Sequence, residues 1–123
     1  MPPDQRGLLG RRGENLAADF LRQRGHVIVA QNYRNQFGEI DIITQDGDTL
    51  VFVEVKTRKS RRYGDAATAV TLKKQRQIAK VALAYMAGRP PQTAARCDVV
   101  CVTIGAVGQI QLSLIENAFE AAS

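Results

Sequence analysis

The segment TLVFVEVKTR (Thr49 to Arg58) has the composition of a sheet-centre strand, yet Glu54 and Lys56 follow directly on Leu50-Val51-Phe52-Val53. An unpaired charge is costly to desolvate, so a core strand carries Glu and Lys only where each finds a partner. The preceding run GEIDIIT adds Glu39 and Asp41, again in a strand pattern. The fold therefore has to bring opposite charges, or a cation, to the acids of these two strands.

QDGD between the runs holds Asp46-Gly47, a strong hairpin signal. With Asp46-Gly47 as the turn, Glu54 lies opposite Glu39; with Gly47-Asp48 it lies opposite Asp41. Side chains alternate along strands, so either two-residue turn predicts Asp41, Glu54 and Lys56 on one face. A three-residue loop with a bulge would disturb that. Two converging carboxylates repel and resist ionisation, and a divalent cation reverses the penalty. Mg²⁺ takes hard oxygen ligands at about 2.0–2.1 Å, typically one or two carboxylates with substrate phosphate oxygens. Asp41, Glu54 and the Val55 carbonyl would supply such ligands for Mg²⁺ or Mn²⁺. Lys56 would orient an attacking water or offset charge on a pentacovalent phosphate. The plain structural alternative is a wet sheet face on which Glu54 and Lys56 form cross-strand ion pairs.

The rest of the chain predicts the order αβββαββ over one domain of 123 residues, with residues 1–9 frayed. Leu16, Ala17, Phe20 and Leu21 recur at helical spacing between Arg11 and Arg24, and Gly25 supplies a stop. HVIVAQNYRN reads as a strand, Thr71 to Ala87 as a second helix, and CDVVCVTI and QIQLSLI as two more strands. KSRRYGDAATA reads as a loop that is mobile without a ligand. Cys97 and Cys101, four apart on a strand, are about 13 Å apart, too far for a disulfide, and read as buried hydrophobes. His26 is the only histidine, which excludes a histidine-based metal cluster within the chain.

Net charge is +5, unevenly spread. Nine basic residues lie between Lys56 and Lys80 against one acid, Asp65, and none follows Arg96. Such segregation points to a polyanion, and nucleic acid fits better than a membrane because no amphipathic anchor accompanies it. Arg58, Lys59, Arg61, Arg62, Lys73, Lys74, Gln75 and Arg76 are the expected contacts. No run approaches the roughly 20 apolar residues of a membrane span, and the N-terminus lacks the apolar core of a secretory signal. Both point to the cytoplasm.

GRRGENLAADFLRQRG, QNYRNQFGEIDIITQDGDTLVFVEVKTR, AVTLKKQRQIAKVALAY and ENAF together resemble the YraN-like proteins of bacteria. The resemblance implies the PD-(D/E)xK, or restriction-endonuclease-like, superfamily near the Holliday-junction resolvases. The expected fold is then α/β, a central mixed sheet flanked by helices. Asp41 matches the first metal carboxylate, Glu54 the second, Lys56 the catalytic lysine, and Glu14 a helix glutamate that joins the metal in resolvase-like relatives. Ile40 stands where the superfamily motif has proline. Glu14 also reads as a first-turn glutamate suited to the helix dipole. Glu39 reads as a further metal ligand or, by preference, as a cross-strand partner for a basic residue. The implied activity is Mg²⁺- or Mn²⁺-dependent cleavage of DNA, with branched or otherwise structured DNA as the candidate substrate and a homodimer suited to cutting both strands. The alternatives are a nucleic-acid-binding partner with the same fold but little activity alone, and a basic protein–protein adaptor.

Overall fold

A computed structural model describes residues 5–59 and 70–119, with side chains from Gly10 onward. Its elements run α1 (Gln5–Gln23), β1 (Val27–Asn35), β2 (Gly38–Asp46), β3 (Thr49–Arg58), α2 (Leu72–Met86), β4 (Ala94–Ile104) and β5 (Ile110–Phe119). The order is the αβββαββ expected from the sequence. The helix begins at Gln5, not Arg11, so the expected frayed end is shorter; good helix formers around Gly7 and Gly10 carry the helix back. Residues 1–4 and 120–123 lie outside the described set, as do 60–69, on which the expected mobile loop and the contacts Arg61 and Arg62 fall.

The strands lie side by side in chain order, β3–β4 parallel and the other pairs antiparallel. A parallel pair needs a long crossover, and α2 lies on that path. One helix packs on each face. Ala17, Ala18 and Leu21 of α1 bury against Ile42, Val51, Val53, Val100 and Val102. Ile78, Val81 and Ala82 of α2 bury against Ile40, Ile43, Leu50, Phe52, Cys97 and Val99. Both cysteines are buried, and neither forms a disulfide. No helix among the described residues is long and apolar enough to cross a membrane.

The ends of the elements are set by local chemistry. Gly25 at φ +94° closes α1: its N–H donates to the Arg22 carbonyl and the His26 N–H to that of Leu21, a Schellman stop. Thr71 caps α2, its hydroxyl accepting from the Lys74 N–H at 3.1 Å. Of the two hairpin turns considered, Gly47-Asp48 forms: Asp46 pairs with Thr49, and Gly47 alone takes a positive φ, as a type II′ turn requires. At this end of the sheet Arg96 bonds Asp46 at 2.8 Å and the fully buried Asp98 at 3.0 Å, tying β2 to β4. Asp98 also accepts the Asn117 N–H of β5 at 2.9 Å.

Candidate functional site

The Gly47-Asp48 register sets Asp41 opposite Glu54, but regular pairing stops one step earlier, at Ile42 and Val53. Beyond it the Val55 N–H donates to Asp41 Oδ2 at 2.8 Å, so a carboxylate stands in for a strand carbonyl.

The expected single face is corrected. Ile40 and Ile43 pack towards α2 while Ile42 packs towards α1, so the alternation of β2 breaks once and Asp41 turns to the α1 side. The paired strand β1 breaks at the same level: Ala30 and Tyr33 both pack towards α2, three residues apart. Between them Asn32, level with Asp41, takes φ +54°, the left-handed region that Asn tolerates better than most residues. On β3, Leu50 and Phe52 face α2, and regular alternation sends Glu54 the same way, where Lys74 Nζ lies 3.8 Å from Oε2. Asp41 and Glu54 thus approach from opposite sides of the sheet and meet where the ladder opens.

A cavity of about 350 Å³ occupies the opening, lined by Gly10, Glu14, Asp41, Glu54, Val55, Lys56 and Thr57. Four of the residues singled out in the sequence, Asp41, Glu54, Lys56 and Glu14, therefore converge, with Val55 beside them. Glu14 reaches the sheet because α1 lies close to β3 at Gly13, where a Cβ would collide with the Thr57 hydroxyl. Glu14, Glu39 and Asp41 each place a carboxylate oxygen within 4.8 Å of the others. Such oxygens suit a hard divalent cation; Glu54 is not one of the three and joins them through its hydrogen bond with Asp41. Glu39 has the basic partner expected of it, Arg34, whose Nε lies 3.2 Å away.

The electrostatics reflect the crowding. Burial, then the hydrogen bond and repulsion from Asp41, push the Glu54 carboxyl up to about 8, while Lys74 and Lys56 pull it down. Burial and then repulsion from Asp41 raise Glu14 to about 7, against a hydrogen bond from Asn32.

The basic residues divide. Lys73 and Arg76 are exposed on α2, and Lys59 is exposed just after β3. Lys74, expected at phosphate, instead lies against Glu54, and Gln75 donates to the Val70 carbonyl at 2.9 Å, which holds the start of α2. Arg58 is half-buried next to the cavity residue Thr57. Sequence reasoning missed Asn32 as part of the site, and it named Lys74 only as a phosphate contact, not as a neighbour of Glu54. The QNYRN run offered an Asn in a strand as a signal for the first; nothing local announced the second.

Comparison with known proteins adds the family. The model of "Uncharacterised protein family UPF0102" matches residues 13–102. The chain belongs to UPF0102. A UPF0102 protein of Symbiobacterium thermophilum is 50% identical over 116 residues, covering 92% of this chain and 97% of the relative. One from Syntrophus aciditrophicus is 48% identical over 114 residues (92% and 89%), and one from Geobacter metallireducens 48% over 116 residues (93% and 93%). UPF0102 is the YraN-like family that the sequence resembles. The matched span contains Glu14, Asp41, Glu54, Lys56 and both walls of the cavity except Gly10.

Proposed function

We propose that this UPF0102 protein is a cytoplasmic, restriction-endonuclease-like nuclease that hydrolyses phosphodiester bonds in DNA with Mg²⁺ or Mn²⁺. The observation that carries the reading is the meeting of Asp41, Glu54, Lys56 and Glu14 in one cavity, brought together from β2, β3 and α1. The mixed sheet with a helix on each face supports it, and so does the resemblance of Gly38–Arg58 to the superfamily motif.

Asp41, Glu54, Glu14 and the Val55 carbonyl would hold the cation, with Glu39 alongside. Bound there, the cation supplies Lewis-acid polarisation of the scissile phosphate. The Val55 N–H fixes the Asp41 carboxylate in orientation. Lys56 donates to the attacking water and offsets the charge that develops on the phosphate oxygens. The water oxygen bonds to phosphorus as its proton passes to solvent, one P–O ester bond breaks, and the departing alkoxide takes a proton back from solvent. Lys74 balances Glu54 from the α2 side, while Lys73, Arg76 and Lys59 contact flanking phosphates. One site cuts one strand, so a homodimer suits cleavage of both.

The test is a cleavage screen of single-stranded, duplex, flapped and four-way DNA with Mg²⁺ and with Mn²⁺, beside Asp41→Ala. Cleavage by the parent, lost in a folded Asp41→Ala, is expected. Equal activity in the two proteins refutes the site, and binding without turnover favours a nucleic-acid-binding partner protein instead.

A further inference from the structure

The β1–β2 hairpin turns at Gln36-Phe37, between the paired residues Asn35 and Gly38. Chain direction places this tip at the same end of the sheet as the cavity, the N-terminal half of α1 and the start of α2. The tip is built firmly. The Phe37 N–H donates to Asn35 Oδ1 at 2.9 Å, and Asn35 Nδ2 donates to the Val81 carbonyl of α2 at 3.3 Å. Gly38, at φ +142°, lies so close to the Gln77 side chain that a Cβ there would collide with it.

On this fixed tip stands an aromatic ring that the core does not use. Phe37 is 42% exposed. Tyr85 packs edge-on with both Tyr33 and Phe52, Phe20 lies under the Arg24 guanidinium, and Phe119 packs against the core. Among the described residues Phe37 has neither an aromatic nor a guanidinium partner. It precedes Glu39 by two residues and Asp41 by four, so along the strand it stands about 7 and 13 Å from them. Stacked bases repeat at about 3.4 Å along a strand, which puts the ring within a few nucleotides of a phosphate in the cavity.

We propose that Phe37 stacks on an unpaired nucleobase and so directs the site to strands whose bases are free, such as single-stranded DNA or the unpaired arm beside a junction. A paired base inside a duplex has both faces covered by its neighbours, whereas an unstacked base offers its π-face to an aromatic side chain. Asn35 and Gly38 hold the backbone of the tip in place beforehand, so only the ring itself is left to order on binding. The inference rests on the nucleic-acid reading of the site, and it adds which form of nucleic acid is selected.

The chain contains no tryptophan, so Phe37→Trp introduces a single reporter exactly where stacking is expected to quench it. The experiment titrates Phe37→Trp, with chelator present to prevent cleavage, against an oligothymidylate and against a blunt duplex of equal length. Saturable quenching by the single strand, and much less by the duplex, is expected. In parallel, Phe37→Ala and Phe37→Leu should each weaken single-strand binding about ten-fold, within the range for one lost stack, and leave duplex binding within about two-fold. Unchanged emission at saturating oligothymidylate, or parent-like single-strand affinity in Phe37→Ala, overturns the proposal while duplex binding and cleavage by the parent leave the nuclease reading standing. A parent that binds neither nucleic acid overturns both.

Discussion

Glu54→Gln isolates the cost of the opposed carboxylates. The substitution keeps the side-chain shape and removes a charge at a position only 8% exposed. Burial first, and Asp41 second, raise that carboxyl from 4.5 to about 8. The folded protein therefore holds a proton that the unfolded chain has already released, and the stability linked to this group is fully present below pH 4.5. It is lost as pH rises to about 8. At about 1.4 kcal/mol per pH unit the full displacement corresponds to roughly 5 kcal/mol, and water entering the open cavity lowers the cost to about 2 kcal/mol. Urea unfolding followed by circular dichroism, with chelator, should show parent and variant equal within about 0.5 kcal/mol near pH 4.5 and the variant more stable by about 2 kcal/mol at pH 9. Mg²⁺ at a hundred times its dissociation constant should then stabilise the parent by about 2.7 kcal/mol and barely move the variant. A Glu54→Gln protein less stable than the parent at pH 9, and indifferent to metal, would show that the ion pair with Lys74 outweighs burial and would refute the reasoning.

Neutralising Lys73 and Arg76 together should flatten the dependence of log affinity on log salt for duplex DNA by up to about 0.9 per lost contact; an unchanged slope moves the binding surface away from α2. Gly13→Ala should destabilise the protein by about 1–3 kcal/mol by forcing α1 off Thr57, and Thr57→Ala should restore part of that loss in a double-mutant cycle. Arg96→Ala leaves the fully buried Asp98 without its cation and should cost about 3 kcal/mol in urea unfolding, far more than Arg22→Ala at an exposed pair.

What the sequence made legible follows from the range of the forces involved. Helix and strand periods, the Gly25 stop and the hairpin turn are local, and the element order could be read from them. Even the register of Asp41 against Glu54 was one of two readings that turn chemistry allowed. The side of the sheet each acid takes was not legible, because it depends on a break shared by β1 and β2. That break is visible only once Asn32 and Asp41 lie level across the strand pair. Lys74 shows the same limit: its neighbours in the chain present it as one member of a basic helix, and only the packing of α2 over β3 brings it to Glu54. Asp41 was legible as a candidate from strand alternation and turn chemistry, whereas periodicity alone left Glu14 as an ordinary helix glutamate and only the family resemblance singled it out.

The irregularity of β1 has a second effect, on self-assembly. Among the described residues it is an outer strand with no neighbour on its far side, and exposed Val27 and Val29 make that edge attractive to another chain. Its register shifts between Ile28 and Ala30, and Asn32 turns into the left-handed region two residues after Ala30. A straight row of donors and acceptors is thus interrupted twice within one strand, and a foreign strand cannot zip along it. The distortion that swings Asp41 towards Glu14 also protects the edge from open-ended sheet growth. A smoothed β1, with a β-branched residue at position 32, would lose both the aim of the carboxylate and its guard against fibres.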